Sequence, residues 1–103
     1  MRSQDQVARF VQAHEIHSPP AYWLLDLVAE VGEVASAANH STTYGDHPDR
    51  LEIPTDEMGD VLFSLLALAD ALGVDTEAAL EAAMKKYEQR IESTGSPSSN
   101  ADR

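Results

Sequence analysis

Twice in 103 residues the chain writes acid, apolar, Gly, acid, Val: Glu30-Val31-Gly32-Glu33-Val34 and Glu57-Met58-Gly59-Asp60-Val61. Both runs sit inside long apolar stretches with the 3.6-residue period of a helix. Acids three apart in such a helix stand one turn apart on the same side. On the 100° spacing, Glu30 and Glu33 border an apolar face made by Leu24, Leu27, Val28, Val31 and Val34. Glu57 shares its stripe with Val61, Ser64 and Leu68. A fold that buries these faces therefore has to place four carboxylates at the edge of its core.

The rest of the chain supports an all-α fold. No alternating strand pattern appears in it. Val7, Phe10 and Val11 mark a first helix from about Ser3 to Glu15. The run His17 to Pro20 stops that helix, because proline cannot continue a helix interior. A second helix is expected from about Ala21 to Asn39. The polar stretch HSTTYGDHPDRLEIP follows, longer than the roughly 2–8 residues usual between helices. A third helix is expected from Pro54 or Thr55 to a stop at Gly73. Asp75 or Thr76 then caps a fourth reaching Ile91 or Glu92. These boundaries predict one antiparallel bundle of about four helices over residues 1–92 and a disordered polar tail over 93–103.

Antiparallel packing of the second and third helices brings Glu30, Glu33, Glu57 and Asp60 to one level. Without a cation such a group repels itself and stays partly protonated. An oxygen-only donor set suits a hard divalent ion, with Mg²⁺ or Mn²⁺ the best fit. Either pair by itself is what chance gives on a solvated face, but matched spacing on consecutive helices favours a metal site. Gly32 and Gly59 point away from the acids, where a missing side chain would let another helix approach. Asp26, one turn before Glu30, either extends the acidic group or is plain surface charge.

Composition bounds the partners. Eighteen acids against seven bases give a formal charge of −11, a field that repels nucleic acid polymers. The absence of cysteine excludes thiolate chemistry and suits a reducing cytoplasm. Neither a secretory leader nor an apolar run near the ~20 residues of a membrane span is present, so a cytoplasmic protein is expected. Only two of the bases are lysines, Lys85 and Lys86. A strongly acidic, lysine-poor surface is what a high-salt cytoplasm favours, since salt screens its repulsion. Trp23 could stack on a base, although core packing is the commoner role of a lone Trp. Tyr44 is a similar candidate in the loop, and His40 and His47 flank it.

The E-x-x-E at Glu30 and Glu33, the E-x-x-D at Glu57 and Asp60, the link from Gly73 to Leu80, and the ending Lys86-Tyr87-x-x-Arg90 together resemble the all-α nucleoside triphosphate pyrophosphohydrolases of the MazG type. The resemblance covers most of the chain. It implies a helical bundle completed by a homodimer or higher homo-oligomer. It also implies an Mg²⁺-dependent hydrolase that splits a (d)NTP between its α- and β-phosphates into (d)NMP and pyrophosphate. Carried over residue by residue, Glu30, Glu33, Glu57 and Asp60 become metal ligands, and Glu33 also orients or deprotonates the attacking water. Lys86 and Arg90 either bind substrate phosphate or pair with Glu81, Glu88 or Glu92 along their own helix. Two positions depart from the family pattern: Ala29 stands where many members have a further glutamate, and Met84 where an asparagine is common. These departures leave open a second reading, a MazG-like nucleotide- or metal-binding regulatory protein without catalysis.

Overall fold

The computed structural model describes residues 1–98, and every described element is helical. The order is α1 (Ser3–Ala13), α2 (Pro20–Thr42), a single 3₁₀ turn (Pro48–Arg50), α3 (Thr55–Leu72) and α4 (Thr76–Thr94). Two compact units result, 1–73 with the first three helices and 74–103 with α4.

In the first unit α3 packs against both α1 and α2. Val11, Trp23 and Ala67 form the buried centre, with Val7, Phe63 and Leu68 packed around it. The Trp23 ring meets Phe63 edge-on at 6.0 Å, and Phe63 meets Phe10 edge-on at 5.8 Å. Edge-to-face contacts of this kind place the positive ring edge against the negative face. Trp23 is thus spent on the core and is only 7% exposed. It lies opposite Phe63, while Glu30 lies opposite Glu57 and Asp60. Further along α2, Ala37 to Ser41 lie beside Glu52 to Thr55. Numbers rise on one side as they fall on the other, which is the antiparallel pairing that the acid pattern demands.

The helix ends have local causes. α1 stops at Ala13, two residues earlier than the periodicity suggests, because Glu15 turns into the left-handed region at φ 55°. Pro20 occupies the first turn of α2, where its missing N–H is no loss. α2 runs on to Thr42, three residues past the expected Asn39. There the Ser41 hydroxyl donates to the Ala37 carbonyl at 2.8 Å and the Thr42 hydroxyl to the Ala38 carbonyl at 2.6 Å. Thr43, Tyr44 and Gly45 then turn the chain with three successive positive φ values. The Thr42 hydroxyl accepts from Gly45 N–H at 3.0 Å and its carbonyl from His47 N–H at 2.9 Å, so the turn is tied back to its helix.

Gly73, at φ 70°, closes α3 in the left-handed cap that glycine adopts without strain. Gly32 and Gly59 face open space, and a Cβ at either would meet nothing within 4 Å. The close helix approach expected at these two glycines therefore does not occur within the first unit.

The second unit is α4 and the residues after it. The Asp75 carboxylate accepts from the N–H groups of Glu77 and Ala78, at 3.0 and 3.3 Å, and so caps the helix. α4 continues to Thr94 before Gly95 ends it, so the polar tail begins two residues later than expected. Residues 99–103 of that tail lie outside the described residues.

Candidate metal centre

Three of the four acids come together. Glu30 from α2 and Glu57 and Asp60 from α3 each present a carboxylate oxygen, and these oxygens lie within 4.8 Å of one another. Helix packing explains the convergence. Glu57 and Asp60 are one turn apart on α3, and Glu30 faces them across the antiparallel contact. Glu30 and Glu57 are half-buried while Asp60 is exposed, so the group opens to solvent at the edge of the core.

Glu33 lies outside that trio. It is close enough to act electrostatically on both Glu30 and Glu57, and it is exposed. The carboxyls of Glu30 and Glu57 are both held above their ordinary range. For Glu30 the largest cause is loss of water, followed by repulsion from Asp60, Asp26 and Glu33. For Glu57 it is again loss of water, followed by repulsion from Asp56, Glu33, Asp60 and Glu30. Asp26, ambiguous in the sequence, therefore contributes to the field. Asp56, exposed at the start of α3, does too. Its place beside Glu57 in the first turn of α3 was the signal that could have found it.

This donor set fits a hard divalent cation. All the converging atoms are carboxylate oxygens from two rigid helices, and their mutual repulsion is what a cation would remove. Among the described residues no other group of acids or histidines converges in this way.

Lys86 and Arg90 sit on α4, in the other unit. Lys86 Nζ lies 5.1 Å from the centre of the Tyr87 ring and Arg90 Cζ 5.9 Å from it. The Arg90 Nη1 also donates to the Pro97 carbonyl at 3.2 Å. Among the described residues neither base forms an ion pair with Glu81, Glu88 or Glu92. Tyr44 is 82% exposed on the turn after α2.

Residues 19–94 match the family model of the MazG nucleotide pyrophosphohydrolase domain. The chain belongs to the MazG family. The matched span takes in α2, α3 and α4 and every acid of the site, and leaves out α1. The chain is also similar to the uncharacterized protein YpjD of Bacillus subtilis (strain 168), with 34% identity over 92 residues covering 84% of this chain and 81% of that one. No solved structure matches. MazG membership agrees with the all-helical architecture. Among the described residues no helix is long and apolar enough to cross a membrane.

Proposed function

We propose that the protein is a metal-dependent nucleotide pyrophosphohydrolase acting on (d)NTPs to give (d)NMP and pyrophosphate. The observation that carries this reading is the convergence of Glu30, Glu57 and Asp60 from two helices of a MazG domain. In this reading Glu30, Glu57 and Asp60, with Glu33 beside them, hold Mg²⁺ or Mn²⁺. A divalent ion there would neutralise triphosphate charge and make a bound water more acidic. Glu33, exposed and set next to the trio, orients the water and accepts its proton. The water oxygen forms a bond to the α-phosphorus, the bond from that phosphorus to the α–β bridging oxygen breaks, and pyrophosphate leaves with the electron pair. Lys86 and Arg90 are assigned to the substrate phosphates by their match to the family ending, with Arg able to bind in a bidentate way.

The same reading makes the protein a cytoplasmic homodimer or higher homo-oligomer, with no nucleic acid polymer and no membrane as partner. Support for assembly comes from apolar side chains left in water. Leu24, Leu25 and Val28 on α2 and Met58, Leu62 and Leu65 on α3 are all exposed. So are Leu80, Met84, Tyr87 and Ile91, which recur at helical spacing along α4.

The test is pyrophosphate release from a panel of NTPs and dNTPs with Mg²⁺ or Mn²⁺, comparing the parent chain with Glu57→Gln. Pyrophosphate and monophosphate in equal amounts, falling by on the order of 100-fold in the variant, is the expected result. Nucleotide or metal binding without turnover would instead favour the regulatory reading that Ala29 and Met84 suggest.

A further inference from the structure

We infer that the turn leaving α4, Gly95 to Pro97, and the Tyr87 ring together position the Arg90 guanidinium for the substrate phosphates. This rests on the phosphate role given to Arg90 above and adds what holds the side chain ready.

An arginine on an exposed helix swings through many rotamers, and an anion that binds it has to stop that motion. Arg90 is instead half-buried, on a helix none of whose residues is fully buried. Its Nη1 donates to the Pro97 carbonyl at 3.2 Å, and its Cζ lies 5.9 Å from the centre of the Tyr87 ring. One contact comes from one turn back along the helix, the other from seven residues further along the chain. A guanidinium held by both a ring and a carbonyl has few orientations left.

The local sequence makes the second contact possible. α4 ends at Gly95, whose φ of 81° is one that residues with a side chain avoid. The Gly95 N–H donates to the Ile91 carbonyl at 2.8 Å. The Thr94 hydroxyl donates to the Arg90 carbonyl at 2.7 Å, and Ser98 N–H donates to the Ser96 hydroxyl at 3.2 Å. The chain therefore folds back over the last turn of α4. Pro97, with no N–H of its own, offers Arg90 only its carbonyl. Backbone and side chain of Arg90 are thus both tied to the residues that follow it.

The chemistry of the partner decides between positioning and blocking. A carboxylate from one of the chain's eighteen acids would cancel the charge of Arg90 and compete with phosphate. The Pro97 carbonyl is neutral. It takes one of the five guanidinium N–H donors, and leaves the charge and the rest of the fork for a bidentate phosphate contact. Lys86 keeps its charge in the same way, with its Nζ 5.1 Å from the centre of the same ring. A side chain fixed beforehand loses less freedom on binding, so the turn tightens phosphate binding through Arg90.

The experiment is a calorimetric titration of the full chain with inorganic pyrophosphate and Mg²⁺, run as a double-mutant cycle. Gly95→Ala strains the turn, Pro97→Gly loosens it, and neither alters length or charge. Each is measured with Arg90 intact and together with Arg90→Gln. With Arg90 present, both turn variants should weaken pyrophosphate binding about fivefold. Beside Arg90→Gln they should change nothing. In ¹⁵N relaxation the Arg90 Nε–H group should be restrained in the parent and freely mobile in both turn variants. Unchanged affinity in the turn variants, or equal weakening with and without Arg90, would overturn the inference. Tighter binding would overturn it by making Pro97 a competitor. A mobile Arg90 in the parent would overturn it too, as would an Arg90→Gln chain that binds pyrophosphate like the parent. The hydrolase reading fails separately. Pyrophosphate release from triphosphates with additive losses in the cycle removes only the positioning. Coupled losses in a chain that turns over no triphosphate keep the positioning and remove the hydrolase.

Discussion

Glu57 sits in the first turn of α3, where the helix N-terminus favours a negative charge. Its carboxyl is nevertheless held above its ordinary range, so partial burial and the neighbouring acids outweigh the dipole. The sign of the consequence follows. A carboxyl whose folded pKa exceeds its unfolded value binds a proton more readily in the folded state. Ionised Glu30 and Glu57 therefore weaken the metal-free fold at neutral pH. That penalty is relieved as pH falls through their raised values toward the ordinary 4.5. The melting temperature in chelator should accordingly rise on mild acidification from neutral pH. Glu57→Gln should start higher at neutral pH and show a flatter rise. Identical slopes in the two proteins would contradict this account of the site. With Mg²⁺ added the order should invert, because the parent gains binding energy that the variant lacks.

At the scale of elements, the ends of the helices carry testable contributions. Removing the α4 cap with Asp75→Ala should destabilise by about 1 kcal/mol, read from helix content in urea titration. Gly73→Ala forces a side chain into the left-handed region at φ 70° and should cost about 1–2 kcal/mol. Wild-type stability in either variant would remove the local explanation of that helix end. These same ends show what was legible in the sequence. Gly73 is a strong local signal for the stop of α3, and of the two caps the sequence offers for α4, Asp75 and Thr76, it is Asp75 that accepts the N–H groups. The ends of α1 and α2 were misread because their causes are not periodic. Glu15 adopts a positive φ that no glycine advertises, and the hydroxyls of Ser41 and Thr42 extend α2 by bonding back to its carbonyls. The meeting of Glu30 with Glu57 and Asp60 was legible because spacing and antiparallel packing determine it together. The placing of Glu52 to Thr55 beside Ala37 to Ser41 was not, since it depends on a hydrogen bond between residues eleven apart in a polar stretch without pattern.

For the whole molecule, the exposed apolar side chains of α2, α3 and α4 and the net charge of −11 pull in opposite directions. Apolar surface favours association, while like charge opposes it until salt screens the repulsion. Light scattering at high KCl should therefore give at least twice the 11.2 kDa of the single chain. A replacement of Leu80 and Ile91 by Glu should reduce it toward that single mass. A chain that scatters as a monomer at all salt concentrations would contradict the homo-oligomer. The melting temperature should likewise rise with KCl, and a protein most stable in dilute buffer would remove the link between this composition and a salty cytoplasm.

The central claim is that acids interrupt two apolar helices in order to hold a cation, and Mn²⁺ binding followed by electron paramagnetic resonance tests it most directly. The parent chain should take up Mn²⁺ saturably at neutral pH. Glu57→Gln and Asp60→Asn should each bind at least about tenfold more weakly, and Asp70→Asn, a comparable loss of charge far from the trio in sequence, should bind as the parent does. Equal uptake by all four proteins would mean that the net negative charge alone attracts the ion, and that Glu30, Glu57 and Asp60 form no site.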